Sequence, residues 1–444
     1  MRGIEAALAV WREVRAGKFA SESLRRAGQA MSTGDMVLAS SLVYGALRRQ
    51  SLWRNIYGRF LRHPRSGLSR RVEDALCIGT AGVLGLRNFA PGALVSGLVQ
   101  AVKERGDVQG AGLVNAVLRR VVREGASILH TIERSEDLPD RALASGLPSW
   151  VAEAWANSWG GEADGLFAMT RIRPYASFRV SSRADRRELV AAATTKGIRC
   201  WPSPLLHDGI RVAGTLFPKD FPGYDEGLVT PQTESSMMVG LALRSLHPGG
   251  PVLDMCSGRG VKSGHLLDLM PEVPLECVEL SPARVAAARR ELLRTGWGDG
   301  DGPVVHVGDA LEFVPTRAPS CILLDAPCSG SGTWNRHPEG KWRLTPEKLD
   351  SLAGLQVKLL KKALSLLAPG GIVVYSTCSL MKDENENVIA QVLSQDPTLR
   401  ECMLPFAWGC LRRGQPSGTY VLPELPWLDG FYIAAIMKDW RGTR

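Results

Sequence analysis

From about residue 228 to the end, short continuous apolar runs alternate with amphipathic stretches. "GPVLDMCSG", "LECVELS", "GPVVHVGDA", "SCILLDAPCSG", "GIVVYSTCS" and "GFYIAAIMK" read as strands. "KSGHLLDLM", "PARVAAARRELLRTG", "PEKLDSLAGLQVKLLKKALSLLAPGG" and "KDENENVIAQVLSQ" read as helices between them. Strands that lack polar alternation and are separated by helices form a parallel sheet covered on both faces. Ligands of such sheets bind in crevices at the carboxyl ends of the strands.

A chain of 444 residues exceeds one ordinary core, so two or three domains are expected. Residues 1–140 have a helical rhythm throughout: "IEAALAVWREVRAG" puts Ile4, Leu8 and Trp11 on one face, and at least four more such stretches follow, with a break at "HPRSG". This segment carries 21 Lys and Arg against 13 Asp and Glu, nearly the whole net charge of +9. Arginine pairs stand at Arg48–Arg49, Arg70–Arg71 and Arg119–Arg120. A basic helical domain suits a polyanion such as nucleic acid, although a solvated charged surface gives the same count. The acidic "TIERSEDLPD" at 131–140 reads as a linker, and residues 141–227 as a small α+β subdomain in which Trp150 and Trp155 are core residues. No run of eighteen apolar residues spans a membrane, and the amphipathic start lacks the pattern of a signal peptide; a cytoplasmic protein is expected.

Nine cysteines are scattered without CxxC pairs or histidines at metal-binding spacing, which argues against a disulfide scaffold and a metal site. Cys77, Cys200, Cys277, Cys321, Cys402 and Cys410 are expected to be ordinary small hydrophobes. Cys328 and Cys378 differ, because each stands just past an apolar strand.

At the strand ends stand Asp254 with the loop Cys256–Lys262, then Glu279, Asp309, Asp325 with Cys328, and Thr377 with Cys378. One such residue is weak evidence, since glycines make turns and aspartates cap helices; together they outline one site. Glu279 ends the second strand, where an acidic residue receives ribose hydroxyls in nucleotide-binding sheets. The loop "CSGRGVKS" fits neither GxGxxG nor GxxxxGK[ST]. A nucleoside cofactor without phosphates therefore fits better than a nucleotide triphosphate, and S-adenosylmethionine is the expectation.

"LLDAPCSGSGTWNRHPEGKW" and "VVYSTCSL" resemble the two signature motifs of the RNA cytosine-C5 methyltransferases, most closely those of the bacterial Sun type that act on 16S rRNA. "LVYGALRR" and "GLVNAVLRR" resemble stretches of the NusB-like helical domain that precedes the catalytic domain in that family, and "GLVTPQTESS" its entry into the catalytic domain. The resemblance implies three parts: an all-α NusB-like RNA-binding bundle at 1–140, the small subdomain at 141–227, and a Rossmann-like methyltransferase domain at 228–444 with a seven-stranded mostly parallel sheet. It implies transfer of a methyl group to carbon 5 of a cytosine, in the helix 31 loop, by a monomer. Cys378 would be the nucleophile, Cys328 would resolve the adduct, and Asp325 would hold the base. Lys341 would approach the nucleophile or the substrate. The cofactor contacts implied are Cys256, Ser257, Gly258, Arg259, Gly260, Val261 and Lys262, with Glu279 at the ribose, Asp309 at the adenine, and Asp325.

The family's first loop usually reads Cys-Ala-Ala-Pro-Gly-Gly-Lys, whereas here Arg259 and Val261 replace the proline and the second glycine. A β-branched residue tolerates positive φ badly, so strain at Val261 and weaker cofactor binding are expected if that position keeps a left-handed backbone. The open alternatives are a NusB-like RNA-binding or assembly factor that has lost its cofactor, and a methyltransferase acting on tRNA.

Overall fold

A computed structural model describes residues 2–29, 31–62, 67–86, 89–298, 302–406, 408–424 and 426–438. The break expected at "HPRSG" falls largely outside them. The chain divides into two units, one of Met1–Ile172 with Trp334–Arg343, the other of Arg173–Thr333 with Leu344–Arg444.

The first unit is all helical: α1 (Arg2–Arg15), α2 (Ala20–Gly28), α3 (Thr33–Arg48), α4 (Gln50–Gly58), α5 (Arg70–Gly85), α6 (Pro91–Lys103), α7 (Val108–Arg134), α8 (Leu138–Ser145), α9 (Ser149–Trp159) and α10 (Ala163–Met169). Local signals set several ends. Ser32, Ser69 and Asp107 cap α3, α5 and α7 with side-chain oxygens that accept from backbone N–H groups. Gly146 ends α8 at φ +63°, where a Cβ would lie 2.2 Å from the Arg48 carbonyl oxygen. Ile4, Leu8 and Trp11 are buried as their spacing predicts. The expected linker at 131–140 is largely helix: α7 runs on to Arg134 and α8 starts at Leu138. Ile132 on α7 and Ala142 on α8 are buried, so the acidic residues there are the outer face of packed helices. Helices α8 to α10 go with this unit, which moves the expected boundary from 140 to 172.

The second unit starts with a four-stranded antiparallel sheet of order β2-β3-β1-β4, built from β1 (Ser177–Val180), β2 (Cys200–Pro202), β3 (Gly209–Val212) and β4 (Val229–Pro231), with α11 (Arg186–Thr195) beside it. After α12 (Glu234–Leu246) comes the alternating region: β5 (Val252–Asp254), α13 (Val261–Leu269), β6 (Leu275–Glu279), α14 (Pro282–Arg294), β7 (Val304–Val307), β8 (Cys321–Asp325), α15 (Pro346–Leu366), β9 (Ile372–Thr377) and α16 (Glu386–Leu393). The chain closes with β10 (Leu399–Cys402), β11 (Leu411–Arg413), β12 (Thr419–Val421) and β13 (Phe431–Lys438).

Strands β7, β6, β5, β8 and β9 are parallel in that order, and β13 joins β9 antiparallel. Among the described residues the sheet has nine strands rather than the seven expected. Beyond the six apolar runs lie β10, β11 and β12, which are three or four residues long and too short to announce themselves. Strand order reverses between β5 and β8, so the crevice for a ligand opens at the ends of those two strands, at Asp254 and Asp325. Among the described residues, no helix is long and apolar enough to cross a membrane.

Candidate active site

The loop after β5 turns tightly into α13. Gly258 (φ +58°) and Gly260 (φ +76°) supply its two left-handed positions. Val261 is the first residue of α13, and no residue other than glycine has positive φ among those described. The strain expected at Val261 is therefore absent: the left-handed turns fall on Gly258 and Gly260. Glu279 fastens the loop, its Oε2 accepting from the Gly258 N–H at 3.1 Å and its Oε1 from the Ser281 N–H at 2.8 Å. Each carboxylate oxygen keeps a further lone pair for a ligand.

A cavity of about 150 Å³ lies at this corner, lined by Asp254, Asp325, Ser236 and the loop residues Cys256, Ser257, Gly258, Arg259, Val261 and Lys262. Gly260 sits beneath, against Ala288, where a Cβ would approach the Ala288 Cβ to 3.1 Å. Asp254 is 1% exposed. Its Oδ2 accepts from Ser263 Oγ at 2.6 Å, while its Oδ1 has no hydrogen-bond partner among the described residues. Burial pushes this carboxyl up to about 6, against the opposing Ser263 bond. An orphaned acceptor in an acidic wall calls for a donor or cation from a ligand. The ammonium, hydroxyls and sulfonium of S-adenosylmethionine fit that wall; a triphosphate does not.

Asp325 joins the cavity to the thiols. Its Oδ2 takes the Lys262 ammonium at 2.6 Å and its Oδ1 the Ser376 hydroxyl at 2.9 Å. Burial lowers the Lys262 proton affinity, but Asp325, and beyond it Cys378, outweigh burial and hold the ammonium charged. The parallel pairing of β8 with β9 carries Cys328 and Cys378 to neighbouring exits. Their sulfurs stand 3.5 Å apart, both as free thiols. The hydrogen bond to Cys378, then burial, pushes the Cys328 thiol well up. Burial likewise raises the Cys256 thiol.

The structure thus brings together Cys328, Cys378, Asp325, Lys262 and the 256–262 loop, with Glu279 at the loop's back. Asp309 is exposed just past β7, with Oδ1 on the Leu311 N–H at 2.9 Å; it does not line the cavity. Lys341 is a correction. It belongs to the helical unit, is 0% exposed, and donates to the carbonyls of Arg48 (2.7 Å) and Ser145 (3.4 Å). Burial, then Arg48 and Arg49, holds its proton affinity well down. Its neighbours share that placement: Trp342 donates to the Leu47 carbonyl at 2.7 Å, and Trp334 stacks on Trp155 at 5.6 Å. The "HPEGKW" stretch therefore contributes to the packing of the helical unit. Arg48 and Arg49 are likewise engaged there, Arg49 with the Ala144 carbonyl (2.6 Å) and Glu133 (2.7 Å).

Two features escape a reading of the sequence. Asp254 is visible there as a strand exit, but not as the unpartnered wall of the cavity. Arg179 of β1 is 2% exposed; it pairs with Asp268 at 3.1 Å, bonds Gln232, and donates to the Val261 carbonyl at 3.0 Å. "RVSS" and "TPQTESS" thus converge under the loop. A basic residue in a strand whose four residues are all buried is the available signal. Of the cysteines expected to be plain core, Cys77, Cys277 and Cys321 are fully buried.

Residues 241–437 match the family described as 16S rRNA methyltransferase RsmB/F, and residues 5–123 match the NusB family. The chain is 30% identical over 409 residues to ribosomal RNA small subunit methyltransferase B of Xanthomonas campestris, covering 91% of this chain and 89% of that one. It is 29% identical to the protein of that name from Erwinia tasmaniensis, covering 98% of each. Among solved structures, PH0851 shares the fold over 98% of each chain with a TM-score of 0.80 at 22% identity. A methyltransferase homolog protein from Pyrococcus horikoshii matches 68% of this chain and 99% of its own at 29% identity, with a TM-score of 0.58. This chain belongs to the RsmB family of small-subunit ribosomal RNA methyltransferases, with a NusB-type helical domain ahead of its methyltransferase domain.

Proposed function

We propose that the protein methylates carbon 5 of a cytosine in 16S rRNA, in the helix 31 loop that the family resemblance implies, through a covalent adduct with Cys378. The observation that carries this is the pair of free thiols 3.5 Å apart beside Asp325 and the cofactor cavity. S-adenosylmethionine supplies the electrophilic methyl group when bound. Carbon 5 of cytosine is a poor nucleophile. Addition of the Cys378 thiolate at carbon 6 makes the ring enamine-like and carbon 5 nucleophilic. Asp325 holds the base as electron density shifts across it, with Lys262 and Ser376 fixing its carboxylate. After methylation the carbon-5 proton leaves to a base, the C6–S bond breaks, and Cys378 is released as a thiolate. Cys328 serves this release: its thiol, held protonated 3.5 Å from the Cys378 sulfur, can hydrogen-bond the departing thiolate. On this reading the protein works in the cytoplasm, acting on RNA. The glycine-borne turns of the loop remove the motive for a cofactor-dead assembly factor.

Cys328→Ala tests the assignment. Incubated with 16S rRNA and S-adenosylmethionine, it should accumulate a protein–RNA adduct that survives a denaturing gel. The Cys328→Ala/Cys378→Ala double variant should form none. Clean product release by Cys328→Ala rejects the resolving role.

A further inference from the structure

Glu384 is a fully buried carboxylate in the short turn Lys382–Glu384 before α16, and it is not part of the chemistry above. We propose that Glu384 is a positioning residue that holds the Cys328 and Cys378 loops in register, so that one carboxylate governs both formation and release of the adduct. This rests on the two-thiol reading.

Four donors converge on it. Oε1 accepts from the Ser329 N–H at 2.7 Å and from Gln356 Nε2 at 3.1 Å. Oε2 accepts from the hydroxyls of Ser329 and Ser379, each at 2.5 Å. Ser329 directly follows Cys328, and Ser379 directly follows Cys378. Gln356 also donates to the Pro327 carbonyl at 2.9 Å, so the residues on both sides of Cys328 are tied to this carboxylate or its partner. Asn385, the next residue, does the same for Cys378: its Oδ1 accepts from Thr377 Oγ1 at 2.5 Å and its Nδ2 donates to the Ser379 carbonyl at 2.9 Å. Two consecutive side chains thus bracket both thiols. Charge-assisted bonds to a buried carboxylate are short and directional, which suits setting a sulfur–sulfur distance of 3.5 Å. The Glu384 charge also acts on Cys328, adding to the hydrogen bond and burial that keep that thiol protonated.

A clamp and a mere buttress differ in which step they disturb. In single-turnover assays on 16S rRNA, Ser379→Ala removes the carboxylate's hold on the Cys378 loop and should mainly slow adduct formation. Ser329→Ala removes the hydroxyl's hold on the Cys328 loop and should mainly slow decay of the adduct. Glu384→Gln keeps the shape, loses the charge, and should show both defects. Its turnover should fall by roughly 10²-fold, the scale of a misplacement near 1 Å. Titrated S-adenosylmethionine should bind all three variants within about twofold of the parent. Folded Glu384→Gln with turnover near the parent's overturns the proposal, as do the two serine variants if they disturb the same step equally. Should Glu384→Gln fail to fold, the serine pair decides. If Cys328→Ala traps no adduct, the two-thiol reading falls and this proposal with it. If it traps adduct while the serine variants are silent, the positioning role alone falls.

Discussion

Asp254→Asn should make the cofactor-free protein more stable and a poorer binder. Asp254 is 1% exposed and keeps one oxygen without a hydrogen-bond partner among the described residues. Burial pushes its carboxyl from 3.8 up to about 6. Two pKa units correspond to about 3 kcal/mol. The folded-state value is the raised one, so this group's favourable contribution is complete below the unfolded value near 4 and is lost as pH rises through about 6. At pH 8 the ionised group thus opposes folding by up to about 3 kcal/mol relative to pH 4. Asparagine has nearly the same shape and no charge to lose. Thermal midpoints of parent and variant should lie close together at pH 4.5 and separate by several degrees at pH 8, the variant higher. S-adenosylmethionine should narrow the gap, because the ionised oxygen then has a donor. The variant should bind it about 10- to 100-fold more weakly, the loss of one hydrogen bond to a charged acceptor. A gap unchanged between pH 4.5 and 8 would refute the raised carboxyl, and unchanged affinity would refute its place in the cofactor wall.

Cys378→Ala should abolish methylation while calorimetry gives the parental affinity for S-adenosylmethionine; turnover near the parent's would reject the nucleophile. Lys341→Met should lower the thermal midpoint, since it removes a donor from the buried Arg48 carbonyl at about 1–3 kcal/mol, less the relief of a buried ammonium, while the Ser145 carbonyl keeps the Thr170 hydroxyl. Its turnover per folded molecule should stay within about twofold, which a catalytic lysine would not permit. Arg12, Arg71 and Arg105 line one cleft of the helical unit, and none has an ion pair among the described residues. Replacing all three with glutamine should weaken rRNA binding and shallow its log–log salt slope by about 0.7 to 0.9 for each phosphate that the protein no longer neutralises; an unchanged slope means this face does not meet RNA.

The catalytic fold is legible in the sequence because its strands are continuous apolar runs; β5, β6, β8 and β9 lie at or within a residue or two of where those runs stand. The two thiols and Asp325 are legible as strand exits, because parallel neighbours bring sequence-distant exits side by side. Glu384 is not: in "KDENENV" it looks like any acidic residue at the start of a surface helix, and only tertiary packing buries it. Lys341 misleads for the opposite reason. Its motif is recognisable, but the ten residues Trp334–Arg343 pack with the helical unit, and local spacing carries no information about which core a segment joins.

The cofactor loop shows which substitutions such a site tolerates. Its backbone demands are two left-handed positions, at Gly258 and Gly260, and a helix start at Val261. A valine meets the third demand at little cost, since a helical φ is open to any L-residue. Its carbonyl is held by Arg179, whose guanidinium is anchored by Asp268 and Gln232, so the loop's geometry does not depend on a proline at 259. Arg259 is exposed at the cavity rim, where side-chain identity alters the charge met by a ligand without altering the turn beneath it. The departures at 259 and 261 therefore fall on positions whose backbone is ordinary, and both left-handed positions, 258 and 260, are occupied by glycine.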